Sequence, residues 1–469
     1  MIREAPAIAT QTTIGIDIGT TSVKAVAADG DGNVVAASRI PHGAKVPGPE
    51  ALEHDVEMAW RDGVRRAYAD VSRDVDVVAV NVAAMVPSLG AFRADGSAAG
   101  PGLLYGDHRG RRPGSADGGN PAESGELLGF LGWLHANCPD AERFWPAQAA
   151  ANYELSGRPA LDTTTAFTAY PLFDGAQWDP ALSAEAGVEP AQLPEIVSGV
   201  DPAGRVGGGA AGPDHDGPLL GGGTIDAMGE QIVAGADEIG DVLVICGTTL
   251  ITWAVMGEEW IERPGLWTIP HTAPGKLLIG GPSNAGGLFL NWATALAGKG
   301  GDDDAVDPSD VPVWLPYVRG ERTPLHRHDL RASLHGLNLT HGPAHVRRAA
   351  YEAAGFVVRH HLDLAGDAIA PRRLVATGGG TRVEPWLQAL ADCTGLPVDV
   401  VAVPEGAALG SAFIARCVAG LESQMSDGSR WARVARRIDP DDRWVPRVAE
   451  RYDDFLTQTT RAATGSDVI

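Results

Sequence analysis

Two Gly-Thr-Thr segments are the first residues of this chain whose types and spacing suit chemistry. They are Gly19-Thr20-Thr21 and Gly247-Thr248-Thr249, and each lies between two apolar stretches with the composition of β-strands. A turn of this kind presents backbone N–H groups and two hydroxyls at one corner, which suits phosphate oxygens. One such turn alone is typical of a plain β-hairpin. Two such turns in the same context favour a pair of phosphate-binding turns that together bind one triphosphate.

An aspartate in the first apolar stretch, Asp17, lies two residues before the first of these turns. A carboxylate at this place would repel a bound phosphate unless a divalent cation lay between them. Mg²⁺ is commonly held by one or two carboxylates, water and phosphate oxygens. The alternative is that Asp17 faces solvent from an edge strand. Its position directly before the turn favours the metal, so we predict Asp17 as a Mg²⁺ residue.

A second aspartate, Asp226, follows the glycine run 221–223 and precedes a stretch with helical spacing. Such a residue is typical of a helix N-cap. The functional interpretation is that Asp226 accepts the proton of a substrate hydroxyl while that hydroxyl attacks a γ-phosphoryl group. Helix N–H groups would keep the carboxylate ionised, as a base requires. The two interpretations are compatible, and we predict Asp226 as the general base.

The elements that must position these residues alternate between strands and helices. The pattern around the first turn predicts three strands, then a helix over residues 55–71 and a buried strand over residues 75–85. The strand–turn–strand pattern returns after residue 240, beyond a Gly/Pro-rich region at 203–223. The chain contains neither a P-loop nor the dinucleotide-binding G-x-G-x-x-G after its first strand. We predict an α/β protein in two related halves.

Composition excludes several kinds of partner. The formal net charge of the 469 residues is -23, which argues against nucleic acid or an anionic membrane surface. No segment reaches about 18 uninterrupted apolar residues, and residues 1–13 lack the apolar core of a signal peptide. The four cysteines show no C-x-x-C spacing, which is typical of reduced thiols. We therefore predict a cytoplasmic protein.

Seven segments in this order resemble the FGGY family of carbohydrate kinases, and among its members the xylulokinase-like ones. They are "GIDIGTTSVKA", "GGTIDAMGE", "DVLVICGTT", "GGPSNAGGLFLNW", "LPYVRGERTPL", "LVATGGGTRVEPWLQALADCTGLPVDVV" and "PEGAALGSAF". The resemblance runs over nearly the whole chain. It implies two actin-like ATPase (ribonuclease H-like) domains with an active-site cleft between them. It also implies ATP and Mg²⁺ as cofactors and transfer of the γ-phosphoryl group to a sugar hydroxyl.

The resemblance assigns roles to individual residues. Asp226 would be the general base, and Asp17 would hold Mg²⁺ through water. The phosphate contacts would be Gly19, Thr20, Thr21, Gly247, Thr248 and Thr249, with Gly287 near the phosphates and Gly379 and Gly380 beside the adenine and ribose. Residues 1–236 would form the domain with the sugar site, the first phosphate motif and the base. Residues 237–469 would form the domain with the second phosphate motif, the adenosine site and a closing C-terminal helix.

The sugar-facing segments depart from the xylulokinase pattern. Ala84 and Val86 stand where a Gln and a His are expected, and Ala227 stands where an Asn follows the base. Buried sugar hydroxyls without partners would cost affinity, so an unusual substrate is left open. The segments "IDA" at 225–227 and "DHR" at 107–109 are closer to ribulose-type kinases.

The predicted substrate contacts are Met85, Asp107 and Arg109, besides Asp226. For Asp107 and Arg109 the alternative is a solvated polar loop. The predicted substrate is a ketopentose, similar to D-xylulose, and a ribulose, ribitol or other polyol is the alternative. A non-kinase actin-like ATPase or binding module is also left open, as is a homodimer.

Overall fold

The computed structural model describes residues 11–49, 51–110, 126–197, 199–207 and 216–464. The amino-terminal stretch 1–10 and part of the Gly/Pro-rich region, residues 208–215, lie outside the described residues. The chain divides into two compact units. Unit 1 takes the described residues of Met1–Ser115 and Pro121–Val233 with Glu405–Trp431, and unit 2 takes those of Ala234–Pro404 and Ala432–Ile469. The predicted domain boundary between residues 236 and 237 stays a prediction.

The strands of unit 1 form two sheets and one separate pair. In chain order they are β1 (Thr12–Ile18), β2 (Ser22–Ala28), β3 (Val34–Pro41), β4 (Ala44–Lys45), β5 (Glu53–His54), β6 (Val77–Ala84), β7 (Ser88–Phe92), β8 (Ala98–Leu104), β9 (Arg143–Trp145), β10 (Ala160–Asp162), β11 (Glu195–Val197), β12 (Gly204–Arg205), β13 (Leu219–Leu220) and β14 (Thr224–Ile225). The larger sheet has the order β12-β13-β6-β1-β2-β3, with β14 also paired to β6. The smaller sheet has the order β4-β5-β8-β7-β9, and β10 pairs with β11.

Unit 2 has one large sheet and one short pair. Its strands are β15 (Asp241–Cys246), β16 (Leu250–Met256), β17 (Trp267–Pro270), β18 (Leu277–Ser283), β19 (Val313–Leu315), β20 (Ser333–His335), β21 (Arg373–Thr377), β22 (Val398–Val401) and β23 (Val434–Ile438). The large sheet has the order β17-β18-β16-β15-β21-β22-β23, and β19 pairs with β20.

Helices cover both units. They are α1 (Gly63–Val71), α2 (Glu126–Asn137), α3 (Ala147–Ser156), α4 (Thr163–Phe167), α5 (Pro180–Glu185), α6 (Asp226–Ala234), α7 (Gly287–Ala297), α8 (Pro343–Ala365), α9 (Glu384–Thr394), α10 (Gly406–Val418) and α11 (Val445–Thr464). The predicted helix over 55–71 is a π-helical segment, Glu57–Asp62, that continues into α1. Among the described helices, none has the length and hydropathy that a membrane span needs.

Strand β1 is buried because helices cover it. Ile14 and Ile16 share the core of unit 1 with Val64 of α1, and none of these side chains has measurable exposure. Alternate residues of a strand point to opposite faces, so Gly15 faces the other way, where α10 packs. A Cβ on Gly15 would lie 1.8 Å from the carbonyl O of Ala408. Glycine is therefore needed for this close approach between strand and helix.

The two large sheets repeat one topology. In unit 1, β1, β2 and β3 form an antiparallel meander, and β6 pairs with β1 in parallel. In unit 2, β15, β16 and β18 form the antiparallel meander, and β21 pairs with β15 in parallel. The two Gly-Thr-Thr turns each join the first two strands of a meander. The sheet order confirms the predicted α/β repeat.

Candidate functional site

Three neighbouring parallel strands of unit 1 end at the same edge of its sheet. Strand β6 lies between β1 and β14, and the register pairs both Asp17 of β1 and Thr224 of β14 with Ala83. Met85 directly follows β6, and Asp226 directly follows β14. Neighbouring strands lie about 4.8 Å apart. The structure therefore brings Asp17, Met85 and Asp226 together at this edge.

The first Gly-Thr-Thr turn, which we name turn 1 (residues 19–21), has its carbonyl groups engaged by the protein. The Nε2 atom of His54 lies 2.9 Å from the carbonyl O of Thr20, and the N–H of His42 donates to the carbonyl O of Thr21 over 3.0 Å. Among the described residues, the N–H groups of Thr20 and Thr21 have no hydrogen-bond acceptor. These N–H groups suit phosphate oxygens.

The imidazole of His54 contacts turn 1 and has a defined tautomer. Trp60 Nε1 donates to Nδ1 of His54 over 3.0 Å, and an indole nitrogen can only donate. The ring proton is therefore on Nε2, which donates to Thr20. Burial lowers the pKa of His54 from 6.5 to about 4, so the ring is neutral near pH 7. The hydroxyl of Thr20 also lies 3.2 Å from the Tyr105 hydroxyl.

Asp17 forms an ion pair with a lysine on the neighbouring strand. It lies opposite Lys24 in the β1–β2 register, and Lys24 Nζ donates to Asp17 Oδ2 over 3.0 Å. The Asp17 side chain is 6% exposed and that of Lys24 is 20% exposed. The negative charge of Asp17 raises the pKa of Lys24, although burial opposes this, and the charges of Glu230 and Glu405 act in the same direction as Asp17. The alternative of a solvent-facing edge position for Asp17 does not hold, because β1 lies inside the sheet.

The residues at turn 1 fit Mg²⁺ better than a softer metal. Within the described part of the chain, no group of three or more His, Cys, Asp or Glu side chains forms a metal site. An ion here would need a carboxylate, water and phosphate oxygens, which is the usual Mg²⁺ arrangement. Asp17 has a carboxylate oxygen directly before the N–H groups of turn 1 that suit phosphate.

Asp226 is positioned by a buried amide on α3. Gln148 has no measurable exposure, and its Nε2 donates to the carbonyl O of Ala84 over 3.0 Å and to that of Thr224 over 3.1 Å. Ala84 is the last residue of β6 and directly precedes Met85, and Thr224 lies in β14 two residues before Asp226. Gln148 therefore fixes the two strand ends relative to each other. Asp226 itself is half-buried, and its Oδ1 accepts the N–H of the next residue.

The glycine loop that leads to Asp226 is held by two buried asparagines. Asn81 Oδ1 accepts the N–H of Gly223 over 3.1 Å, and Asn81 Nδ2 donates to Ser411 Oγ of α10 over 3.0 Å. Asn152 Nδ2 donates to the carbonyl O of Gly222 over 3.1 Å. Gly223 has a φ of +107°, which favours glycine. The loop before the predicted base is thus fixed by its surroundings.

Asp107 and Arg109 form one network with Glu53. Asp107 has no measurable exposure, and its Oδ2 accepts the N–H of Leu52 over 2.8 Å. Arg109 Nε donates to the two Asp107 oxygens over 3.0 and 3.1 Å. Arg109 Nη2 donates to Asp107 Oδ2 and to Glu53 Oε2, both over 2.6 Å. Glu53 neighbours His54, so this network lies close to turn 1. The solvated-loop alternative does not hold for Asp107.

The second Gly-Thr-Thr turn, which we name turn 2 (residues 247–249), is held by the first turn of α7. The N–H of Gly287 donates to the carbonyl O of Gly247 over 2.8 Å, and the N–H of Leu288 donates to that of Thr248 over 3.0 Å. A Cβ on Gly287 would lie 2.8 Å from the Gly247 oxygen. Turn 2 therefore also has its carbonyls engaged, by a helix backbone.

Gly379 and Gly380 lie beside turn 2. They follow β21, whose last residue, Thr377, pairs with Ile245 near the end of β15. A Cβ on Gly380 would lie 2.8 Å from the Cys246 oxygen and 2.2 Å from the Trp386 ring. Glycine is needed here because backbone and indole approach so closely. The structure thus brings together the predicted phosphate and adenosine residues of unit 2.

Two family models match the chain, and both belong to one family. The N-terminal domain of the FGGY family of carbohydrate kinases matches residues 12–94, and its C-terminal domain matches residues 242–419. Together these segments make up more than half of the chain. The chain belongs to the FGGY family of carbohydrate kinases.

Relatives of this carbohydrate kinase differ in the substrates that their names give. Xylulose kinase from Escherichia coli (strain K12) is 26% identical over 446 residues, which are 88% of this chain and 91% of the relative. Glycerol kinase from Nocardia farcinica is 25% identical over 93% of this chain and 94% of the relative. The crystal structure of gluconate kinase from Lactobacillus acidophilus superposes with a TM-score of 0.78 at 20% identity, covering 97% and 98% of the two chains.

These comparisons confirm the predicted fold class of two actin-like ATPase domains and the predicted kinase activity, for which ATP is the phosphoryl donor. The alternative of an actin-like protein without kinase activity gives way to the family assignment. The individual site residues stay predictions. Within unit 1 the structure groups Asp17 and turn 1 with Met85 and Asp226, and within unit 2 it groups turn 2 with Gly287, Gly379 and Gly380.

Sequence reasoning missed four residues that support the candidate site of this FGGY kinase. They are Lys24, His54, Asn81 and Gln148. Lys24 had a signal, because it stands at the strand position that a tight hairpin places opposite Asp17. The other three act across long sequence separations on backbone groups, and no local pattern marks them.

Proposed function

We propose that this kinase transfers the γ-phosphoryl group of ATP to a hydroxyl of a ketopentose, with Asp226 as general base and Mg²⁺ held by Asp17. The observation that carries the proposal is the shared register of β1, β6 and β14, which groups Asp17, Met85 and Asp226 at one sheet edge. A general base and a phosphate-binding turn must serve the same reacting atoms, and this grouping supports that requirement.

Asp226 is the residue in this proposal that handles the proton. Its carboxylate takes the proton of the sugar hydroxyl while the oxygen bonds to the γ-phosphorus and the bond to the ADP oxygen breaks. Gln148 keeps the strand end before Asp226 beside the strand end before Met85. A fixed base loses little of its efficiency to misorientation.

The nucleotide in this proposal is bound by backbone groups. Turn 1 and turn 2 each supply N–H groups to phosphate oxygens, and Gly379 and Gly380 lie beside the adenine and ribose. Mg²⁺, when bound, neutralises charge on the phosphates. Asp17 would hold the ion through water, and Lys24 adds a fixed positive charge 3.0 Å from the Asp17 carboxylate.

Met85 and Arg109 are the proposed sugar contacts. Asp107 is proposed to act in the same place by fixing the Arg109 guanidinium, since both of its oxygens already accept hydrogen bonds from Arg109. The ketopentose assignment is supported by relatives named xylulose kinase. A ribulose, ribitol or other polyol is the alternative, which Ala84, Val86 and Ala227 favour by removing the expected polar contacts.

The proposed division of labour follows the predicted domains 1–236 and 237–469, with sugar, first phosphate motif and base in the first domain. The second domain takes the second phosphate motif and adenosine. We also propose that the protein acts in the cytoplasm, where ATP is supplied.

A coupled assay of ADP release tests the proposal. The purified protein with Mg²⁺ and ATP is given ketopentoses, pentitols, glycerol or gluconate, with a reaction without acceptor as control. We expect a ketopentose to give the largest kcat/KM. A pentitol as the best acceptor would select the alternative, and glycerol or gluconate as the best acceptor would overturn the pentose assignment.

A further inference from the structure

A buried carboxylate of unit 2, Glu321, binds the segment that precedes α7. The Glu321 side chain has no measurable exposure. Its Oε2 accepts a hydrogen bond from the Ser283 hydroxyl over 2.8 Å, and its Oε1 accepts the N–H of Asn284 over 2.8 Å. The N–H of Arg322 also donates to Oε1, over 2.7 Å. All three groups donate to Glu321, which suits an ionised carboxylate because such a group can only accept.

The segment that this carboxylate binds is named here loop 283–286, and it joins β18 to α7. The Ser283 hydroxyl, besides its bond to the carboxylate, accepts the N–H of Ala285 over 3.0 Å. Asn284 Nδ2 donates to the carbonyl O of Gly320 over 3.1 Å. The first three residues of the loop are therefore held by one connected set of hydrogen bonds.

Loop 283–286 packs directly against turn 2. Ser283 pairs with Leu250, the residue after turn 2, in the β16–β18 register. A Cβ on Gly286 would lie 2.2 Å from the carbonyl carbon of Thr249, so the loop and the turn are in close contact. Helix α7, whose first N–H groups donate to carbonyls of turn 2, begins directly after the loop. A displacement of the loop therefore displaces turn 2.

We infer that Glu321 is a positioning residue for the nucleotide, because its ionised carboxylate fixes loop 283–286 and, through this loop, turn 2. The inference rests on the proposed function, because it assumes that turn 2 binds phosphate oxygens of ATP. It adds no chemical step, since Glu321 acts on the backbone of the turn and the phosphoryl transfer remains that of the proposed kinase.

The charge of Glu321 changes near neutral pH. Burial raises the pKa of this carboxyl to about 7, although the hydrogen bonds that it accepts and the Arg322 charge lower it. In the protonated acid, the oxygen that carries the hydrogen donates instead of accepting. The acid therefore cannot accept all three hydrogen bonds, and we expect it to hold the loop less firmly than the carboxylate does.

The titratable and charged groups around Glu321 keep their charge near pH 7. Burial and the charge of Glu321 raise the pKa of Tyr317, so the phenol stays neutral. Burial lowers the pKa of His326, and it lowers that of His361 to about 3. Arg327, whose backbone pairs with that of Glu321, stays protonated. A change in ATP binding near pH 7 that depends on Glu321 is therefore assigned to Glu321 itself.

The variant Glu321→Gln tests the inference, because glutamine has the size of glutamate but no charge at any pH. ATP binding is measured by calorimetry with Mg²⁺ and without acceptor, from about pH 5.5 to about pH 8.5. At the upper pH we expect the variant to bind ATP about tenfold more weakly than the wild type. At the lower pH the ratio of the two Kd values should approach one. The titration of ATP itself cancels in this ratio.

Equal binding by Glu321→Gln and the wild type at every pH would overturn the inference, as would a ratio that does not change with pH. The matched control is Glu352→Gln. Glu352 is a buried carboxylate of α8 that accepts hydrogen bonds from Arg348 and Arg451. We expect this control to lower the free energy of unfolding in urea and to bind ATP as the wild type does. An equal loss of ATP binding in both variants would overturn the inference, because lower stability would then explain it.

The variant Ser283→Ala tests the same link with a smaller change. It removes the hydroxyl that donates to Glu321 and leaves the carboxylate in place. We expect about two- to fivefold weaker ATP binding at about pH 8.5. Wild-type binding by Ser283→Ala would contradict the role of loop 283–286.

The variant Gly287→Ala separates failure of this inference from failure of the proposed function. Its added Cβ would displace turn 2 without changing Glu321. Weaker ATP binding in Gly287→Ala but not in Glu321→Gln would overturn the inference alone. Wild-type binding in both variants would overturn the proposed role of turn 2, and the inference with it.

Discussion

Turn 1 and turn 2 share a backbone design but differ in charge. In both turns, the carbonyl groups accept hydrogen bonds from the surrounding unit. The position two residues before the glycine is Asp17 in turn 1, where it faces Lys24 across the hairpin. The same position in turn 2 is Ile245, which faces Ile251.

This difference in charge indicates different roles for the two turns. A hairpin with engaged carbonyls is enough to offer N–H groups to phosphates, and both units supply one. Only turn 1 adds a carboxylate for a cation and a fixed positive charge. We therefore propose that the metal-dependent part of the reaction takes place at turn 1, and that turn 2 binds the nucleotide without a charged side chain.

The largest effect is expected when the negative charge of Asp17, which distinguishes turn 1 from turn 2, is removed. Asp17→Asn keeps an acceptor for Lys24 but removes the negative charge, so we expect kcat to fall about 100-fold or more and the Mg²⁺ requirement to rise. ADP release measured over a Mg²⁺ titration checks this. Ile245→Val, the matched change at turn 2, should leave the Mg²⁺ dependence as in the wild type. An unchanged Mg²⁺ dependence in Asp17→Asn would contradict the assignment of turn 1.

A smaller effect is expected where α7 supports turn 2. The added Cβ in Gly287→Ala would lie 2.8 Å from the Gly247 oxygen, so the turn must shift. We expect KM for ATP to rise about tenfold or more and the free energy of unfolding to fall by about 1–3 kcal/mol. The control is Gly132→Ala in α2, where an added Cβ meets nothing within 4 Å. Wild-type KM for ATP in Gly287→Ala would show that turn 2 does not bind the nucleotide.

The smallest effect concerns acid stability at turn 1. His54 has a folded pKa of about 4 against 6.5 in the unfolded chain, so the unfolded state binds more protons between these values. Stability then falls as pH decreases from about 6.5 towards 4, and His54 should account for about 2 kcal/mol between pH 7 and pH 5. His54→Gln cannot titrate and should lose this part of the pH dependence in urea unfolding. The same pH dependence in wild type and variant would rule out the neutral buried ring.

Some of the site was readable from the sequence, and the reason is local. A few consecutive residues are enough to show the glycine and threonines of the turns and the aspartate before turn 1. The repeat of strand and turn at residues 14–28 and 241–256 followed from period-two apolar spacing, and the sheet order confirms it.

The rest depended on the tertiary structure. Gln148 fixes two strand ends that lie 64 and 76 residues away in the chain, and nothing in the segment around it marks this role. Asp107 stands in a polar segment typical of a loop, yet it is buried and accepts hydrogen bonds from the Arg109 side chain. The approach of α10 to Gly15 joins residues almost 400 positions apart. Such contacts follow from packing and not from local pattern.

The central claim, that Asp226 takes the proton during transfer to the sugar, is tested most directly by following the labelled γ-phosphate of ATP into the acceptor. Asp226→Asn removes the base while keeping the side-chain size, so we expect label transfer to fall about 100- to 10,000-fold. ATP binding by calorimetry should stay close to that of the wild type. Label transfer in Asp226→Asn at a rate near the wild-type rate would contradict the account.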